Sequence, residues 1–540
     1  MKKKIFIPII AVVIMFTTVS FKSDFFEIAK QIEIFTTLYK ELNMNYVDEV
    51  TPATLMDKAI NGMLEDLDPY TVYWNEQEVE DGRIQNSGTY TGIGASVKTT
   101  KDKITIIEPF EGYPADKAGL KAGDELVKIG STPVAGFDGD AGELLKGSKG
   151  SSVEITYNRQ GKTQTTTLTR EKVGIEAVPF YKLLDDNIGY IVLSKFNRKT
   201  TQETKSALED LKLQGANKLI LDLRGNPGGL LNEAINVVNL FVDKGEVITT
   251  TKSVIEKYNK VYKTQFDPID TEIPLVVLVN GRSASASEIV SGGLQDLDRA
   301  VVVGARSFGK GLVQRPKKLT YGTQLKVTIS RYYTPSGRCI QALDYWNRDE
   351  NGDPIRVDTE EYNEFKTKGG RTVYDGGGIM PDVEVETAKF SPITTALLKD
   401  MAIFDYATQY YYSHQLEDYN TFEFTDSDFQ NFVTYLKKNG FEYETETEKE
   451  FAEALRRAED DDLKDEIQQG YNQLMTSIDK AKEKALVSKK AEIKSLLSDE
   501  ILKRYFYREG MYNYHVNHNP EILEAVSVLT DGNRYEKILK

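Results

Sequence analysis

The sequence predicts a multidomain α/β protein, with an α/β core, an inserted β-rich module and helical N- and C-terminal regions. Three observations carry this. Ile188-Gly-Tyr-Ile-Val-Leu193, Lys218-Leu-Ile-Leu-Asp-Leu223, Leu275-Val-Val-Leu-Val279 and Ala300-Val-Val-Val-Gly304 are near-continuous apolar runs, as strands covered on both faces require. Between the second and third, Leu230, Leu231, Ala234, Val237, Val238 and Phe241 recur at helical spacing, so strands alternate with helices. Upstream, Lys103-Ile-Thr-Ile-Ile-Glu108 and Ser152-Val-Glu-Ile-Thr-Tyr157 largely alternate apolar and polar residues, the pattern of half-buried strands.

In chain order, residues 1–23 come first. Lys2, Lys3 and Lys4 precede an apolar run from Ile5 to Val19, a charged region followed by a hydrophobic region of secretory length. The run is shorter than the ~20 residues of a membrane-spanning helix. The expectation is an exported protein of the cell envelope or periplasm, with cleavage or retention as an inner-membrane anchor left open. Residues 24–85 read as helical, with Ile28, Ile32, Phe35, Tyr39, Leu42 and Tyr46 on one apolar face. That face either packs on the rest of the protein or pairs two copies. Residues 86–172 form the β-rich module, punctuated by Gly119 and Gly123, and residues 173–388 form the α/β core. Residues 389–540 are helical and strongly charged, with Ile493, Leu496, Leu497, Ile501 and Tyr505 on one stripe. Glu459-Asp-Asp-Asp462 reads as a solvated helix face or turn, because adjacent carboxylates on a helix do not converge on a metal.

The 540 residues suit three or four domains, and apolar residues at 40% supply ample core. A net charge of −15 with no basic stripe excludes nucleic-acid binding. Cys339 is the single cysteine, which rules out an intrachain disulfide and reads as structural.

The chemistry centres on Ser285, in Asn280-Gly-Arg-Ser-Ala-Ser-Ala-Ser-Glu288, and Lys310, in Ser307-Phe-Gly-Lys-Gly311. A serine needs a base to become a nucleophile. The histidines, His414, His515 and His518, all lie far downstream, which leaves a neutral lysine. Ser285 stands at a strand-to-helix turn, where free N–H groups and the helix dipole gather, and the Ala286 N–H is placed to hold an oxyanion. Lysine in water has a pKa near ~10.4, so Lys310 must be buried or crowded by cations to accept a proton. Phe308, Leu312 and Val313 flank it, and the Gln314 amide oxygen would orient its amine. Asp222-Leu-Arg-Gly-Asn-Pro-Gly-Gly229 is a glycine turn entering a helix, an anion-binding feature without the Gly-Lys-Ser/Thr ending of a nucleotide loop. Either Gly228 or Gly229 would be the second oxyanion donor.

These motifs, with Tyr333-Thr-Pro-Ser-Gly-Arg338 and Gly378-Ile-Met-Pro-Asp382, resemble the carboxyl-terminal processing peptidases, or tail-specific proteases. The resemblance implies a crotonase-like α/β core that needs no metal or organic cofactor. It makes Ser285 the nucleophile in preference to Ser283 and Ser287, Lys310 the general base and Gln314 its support. Thr91-Gly-Ile-Gly-Ala-Ser-Val97 and Pro114-Ala-Asp-Lys-Ala-Gly-Leu-Lys-Ala-Gly-Asp-Glu-Leu126 resemble a PDZ domain, which implies that Gly92, Ile93, Gly94 and Ala95 bind a terminal carboxylate. Leu67-Asp-Pro-Tyr-Thr-Val-Tyr73 resembles a motif that precedes that domain, with Tyr70 where the family carries a histidine or similar residue. The expected partners are polypeptides with apolar C-termini, whose tails add as a strand to the sheet edge. A non-catalytic PDZ adaptor is the alternative, disfavoured by intact Ser285, Lys310 and Gln314. An acyl-CoA enzyme is disfavoured by the export signal and the PDZ module. Membrane anchoring and homo-oligomerisation are left open.

Overall fold

A computed structural model describes residues 25–100, 102–137, 139–350, 352–386 and 390–540. The leader expected over residues 1–23 lies outside them. The described chain divides into two units, one running to Glu76 with Gln314–Thr328, the other comprising Gln77–Val313 and Ile329–Lys540.

The first unit holds a helix over residues 25–45, the helix Pro52–Leu64 and the strand Val72–Trp74. Pro52 opens its helix, where a missing N–H leaves no bond unmade. Val72, Tyr73 and Trp74 pair antiparallel with Lys326, Leu325 and Gln324. The expectation that the apolar stripe of the first helix packs on the protein is not met at Ile28, Ile32, Phe35 and Tyr46, all of which are exposed. The Tyr39 hydroxyl, in the later turns of this helix, donates to Pro52 O at the start of the next helix at 2.9 Å.

The second unit contains the β-rich module, whose strands run in the order Ala95–Thr99, Ile104–Pro109, Glu125–Ile129, Ser152–Arg159 and Lys162–Thr169. Ile104, Ile106, Leu120, Leu126 and Ile155 form its own core. Ala95–Thr99 is an edge strand. The strands Thr89–Gly92 and Glu171–Gly174 form the antiparallel ribbon through which the chain enters and leaves the module.

The α/β core is a six-stranded sheet in the order Phe180–Leu183, Ile188–Val192, Lys218–Asp222, Leu275–Val279, Val301–Gly304, Val383–Glu384. The first pair is antiparallel and the rest parallel. Successive side chains of a strand face opposite sides. Leu219, Leu221, Leu275, Val277 and Val279 therefore pack on the helices Thr200–Leu213, Leu231–Asn239 and Ala286–Asp296. Ile220, Val276, Leu278, Val301 and Val303 face the other way. Ile522, Ala525, Val528, Leu529 and Tyr535, from the last two helices, Pro520–Thr530 and Gly532–Leu539, cover them. Arg224, just past a sheet strand, pairs with Asp222 at 2.6 Å and Glu521 at 2.8 Å, and donates to Asn519 at 2.6 Å.

The remaining C-terminal helices, among them Ala402–Ser413, Asp426–Lys438 and Lys490–His518, enclose a separate core that includes Ile493, Leu497 and Ile501 of the predicted stripe. Lys490–His518 breaks at Tyr507 (φ 55°, ψ −164°). At the break the Tyr507 hydroxyl donates to Asp116 at 2.7 Å, and Arg508 forks onto both oxygens of Glu108 at 2.7 and 2.6 Å. Both acids belong to the β-rich module, so the C-terminal helices hold it directly.

Candidate active site

The strand Leu275–Val279 is buried at the middle of the sheet and leads through Asn280-Gly281 into the helix Ala286–Asp296, which is buried along its whole length. The turn is tied down before Ser285 is reached: Ser283 Oγ donates to Leu223 O at 2.8 Å and accepts from Asn280 N at 3.0 Å. Ser285 then takes φ 55° and ψ −109°, a region that non-glycine residues avoid at a cost of about 1–3 kcal/mol. Such strain persists because the surroundings enforce it. Ser285 N donates to Glu288 Oε2 at 2.7 Å, the reach-back of a capping box. The helix begins at Ala286, whose N–H belongs to the unpaired first turn.

The glycine turn lies directly against this one. Ala284 N and Ser287 Oγ both donate to Asn226 O, at 3.0 and 2.9 Å. A Cβ on Gly228 (φ 100°) would stand 2.7 Å from Ala284 O, 2.9 Å from Ala286 N and 3.0 Å from Ser285 Cβ, so the position has no room for a side chain. The Gly228 N–H is turned back onto Asn226 Oδ1 at 2.9 Å. Gly228 O accepts from Phe196 N at 3.2 Å. In a trans peptide the N–H opposes the C=O, so the Gly229 N–H points away from Phe196.

Lys310 sits on the loop leaving Val301–Gly304. Phe308 N donates to Ser283 O at 3.0 Å and Ala342 N to Gly309 O at 3.0 Å. Gly309 (φ 88°) is pressed so close to Ala342 that a Cβ would meet its methyl at 2.4 Å. A Cβ on Gly311 would stand 2.9 Å from Gln341 N, so both glycines beside Lys310 serve close packing. Leu312 is buried, whereas Phe308 is 44% exposed and does not supply the expected apolar cover. The Phe308 backbone is held down at its N–H, which leaves the ring outside. Lys310, like Ser285, is half-buried.

Glu288 joins the two segments. It is fully buried. Its Oε2 accepts from Ser285 N and from Lys310 N (2.9 Å), and its Oε1 accepts from Gly309 N at 2.7 Å and Ser307 Oγ at 2.6 Å. Burial pushes its carboxyl up from the ordinary range, against these four hydrogen bonds, which pull it down. The hydroxyl of Tyr332, 1% exposed, stands 2.7 Å from Lys310 O and 3.2 Å from Ser285 O. The structure thus brings Ser285, Ala286, Gly228, Gly229 and Lys310 to one place. The other motifs serve as scaffold. Arg338 pairs with Asp296 at 2.7 Å, at the end of the Ser285 helix, and Asp382 accepts from Val302 N at 2.8 Å.

Gln314 belongs to the first unit. Its Nε2 donates to Thr328 Oγ1 at 3.1 Å, and Thr328 Oγ1 donates to Asp68 at 3.0 Å. Thr328 N also donates to Thr71 Oγ1 at 3.1 Å, so Asp68 and Thr71, of the motif at residues 67–73, fix the residue that holds the Gln314 amide.

In the β-rich module, Gly92, Ile93 and Gly94 are buried ahead of the edge strand that begins at Ala95. Ile93 O and Gly94 O accept from Ala115 N and Phe110 N, both at 2.8 Å, which holds the loop open. Tyr90 was not singled out by sequence reasoning. Burial pushes its hydroxyl pKa up, against hydrogen bonds from the N–H groups of Ala95 and Gly94. Its ring lies against Gly92, where a Cβ would meet Tyr90 Cε2 at 2.8 Å.

Known proteins match this chain region by region. The peptidase family S41 model matches residues 187–345 and the PDZ domain model residues 91–169. The "probable PDZ-protease, C-terminal helical domain" model matches residues 393–529, and that of the activating protease CtpB N-terminal domain residues 17–78. A carboxy-terminal-processing protease of Bartonella bacilliformis is 36% identical over 326 residues, 58% of this chain and 73% of the relative. The carboxy-terminal processing protease CtpA of Bacillus subtilis is 35% identical over 313 residues, 56% of this chain and 65% of the relative. Among solved structures, a photosystem II D1 C-terminal processing protease aligns at 29% identity over 65% of this chain and 92% of its own, with a TM-score of 0.36.

Proposed function

The chain belongs to peptidase family S41, the carboxy-terminal processing proteases, and from that premise we propose that it is a serine endopeptidase whose nucleophile is Ser285 and whose general base is Lys310. The observation that carries the reading is the shared anchorage of the two residues: one buried carboxylate oxygen accepts both backbone N–H groups. In the proposed reaction neutral Lys310 Nζ takes the proton of Ser285 Oγ as the oxygen attacks the scissile carbonyl. The N–H groups of Ala286 and Gly229 receive the developing oxyanion. Gly229 is preferred to Gly228 because the Gly228 N–H is already given to Asn226. Collapse returns the proton from Lys310 to the leaving amine, and water, activated by the same lysine, releases the acyl group. Gln314 takes the supporting role that the family assigns to its position, with its amide nitrogen anchored by Thr328.

Substrates are polypeptides with apolar C-termini. The edge strand Ala95–Thr99 offers an unpaired side for an added strand, and Gly92–Ala95 offers N–H groups for the terminal carboxylate. The lysine-led apolar segment supports action outside the cytoplasm. Recovery of the protein with cytosolic markers on cell fractionation would overturn that placement.

The test compares degradation of an unfolded protein ending in apolar residues by wild type, Ser285→Ala and Lys310→Ala. Wild type should cleave and both variants should lose at least about 1000-fold in kcat, with rates unaffected by chelators. Equal cleavage by wild type and Ser285→Ala sinks the serine assignment. Amidating the substrate's C-terminus should raise KM, and an unchanged KM removes Gly92–Ala95 from tail recognition.

A further inference from the structure

We propose that Glu288 and Tyr332 are a positioning pair, fixing the nucleophile and the base relative to each other by holding the two backbones from opposite sides. The proposal rests on the Ser285–Lys310 reading and names what makes that pair work. Glu288 Oε2 takes the N–H of Ser285 at 2.7 Å and the N–H of Lys310 at 2.9 Å. The Tyr332 hydroxyl stands against the carbonyls of the same two residues, at 3.2 Å for Ser285 and 2.7 Å for Lys310. Two side chains therefore bracket two residues, one through their donors and one through their acceptors.

Three features separate this from ordinary turn stabilisation. Glu288 reaches the second segment three times, at Ser307 Oγ, Gly309 N and Lys310 N, and each bond has little competition from water because the carboxylate is fully buried. Ser285 holds a backbone conformation (φ 55°) that its own residue type disfavours, so its side-chain direction is set by what grips its N–H and C=O. Tyr332 is itself tied to the lysine loop, its N–H donating to Gly311 O at 2.9 Å. Proton transfer between Ser285 Oγ and Lys310 Nζ depends steeply on their separation, and a misplacement of 1 Å loses on the order of 100-fold in rate. A clamp acting on both backbones is the device that such a dyad needs. It touches neither substrate nor the reacting atoms, so its loss is read in kcat and not in substrate binding.

The experiment uses the full-length protein and four measurements: kcat and KM on a tailed substrate, the rate at which a fluorophosphonate labels Ser285, affinity of the PDZ domain for a tail peptide, and Tm. Wild type and Ser285→Ala come first. Labelling of wild type and its loss in Ser285→Ala establish the serine; labelling that survives in Ser285→Ala defeats the nucleophile assignment itself and is thereby told apart from failure of the clamp. Tyr332→Phe removes one oxygen atom. It should lower kcat and the labelling rate together by about 10-fold, and Glu288→Gln by about 100-fold, with KM and peptide affinity within about twofold of wild type. Glu288→Asp keeps the carboxylate and should recover part of the loss. The double variant should be less impaired than the product of the two single losses. Should Glu288→Gln not fold, Tyr332→Phe decides alone. Unchanged kcat and labelling in folded Tyr332→Phe, losses that multiply in the double variant, or a kcat loss accompanied by an equal loss of tail-peptide affinity would each overturn the proposal.

Discussion

The two faces of the central sheet are built from the same strands by different parts of the chain. On the first face Leu219, Leu221, Val277 and Val279 are covered by helices that lie between or beside the strands in sequence. On the second, Ile220, Val276, Leu278 and Val303 wait for Ile522, Val528 and Tyr535, more than 200 residues further along. The first face carries the proposed site, since the Ser285 helix and the glycine turn both belong to it. The second carries none of the proposed site, and its cover is fastened through Arg224, Asn519 and Glu521. The difference teaches that one sheet can hold its proposed site on one side and its long-range cover on the other, joined at Arg224, so that stability and activity should respond to different mutations.

The sharpest way to break the comparison is to remove Pro520–Lys540. The second face would then present a bare apolar surface, and the chain should lose cooperative unfolding altogether, checked by calorimetry. A folded truncated protein would mean that the last helices are ornament. Next in size, Gly228→Ala places a methyl against Ala284 O and Ala286 N on the first face. It should lower kcat on the order of 100-fold, with a small change in Tm. Ile522→Ala on the second face should do the reverse, lowering stability by about 2–5 kcal/mol in denaturant titrations while active-site labelling of the folded fraction stays at the wild-type rate. Smallest, Tyr535→Phe loses the hydroxyl that Leu275 N donates to at 2.9 Å and should cost about 1–3 kcal/mol by leaving that buried donor unpaired. A matching drop in kcat for either second-face variant would mean that the faces are coupled after all.

Much of the first face was legible in the sequence because its signals are local. The apolar strand runs, the helical spacing at Ala234, Val237 and Val238, and the glycine turn abutting Ser285 all survive in the structure. Glu288 stood within the Ser285 motif, yet its role was not legible, because three of its four donors come from a loop some twenty residues later. The second face was hidden for the same reason at larger scale. The apolar residues of Pro520–Thr530 carry helical spacing that any buried helix would share, and nothing local says which surface they meet. The exposed stripe at Ile28 and Ile32 shows the opposite error, since periodicity identifies an apolar face without naming what covers it.

The fastening of the sheet by the last residues also sets a clock. A chain is made from its N-terminus, so the strands from Ile188 to Gly304 leave the ribosome long before Ile522 and Tyr535 exist. Until the helices that carry them emerge, the side of the sheet that carries Ile220, Val276 and Leu278 has no cover, while the side that carries the Ser285 turn already has its own.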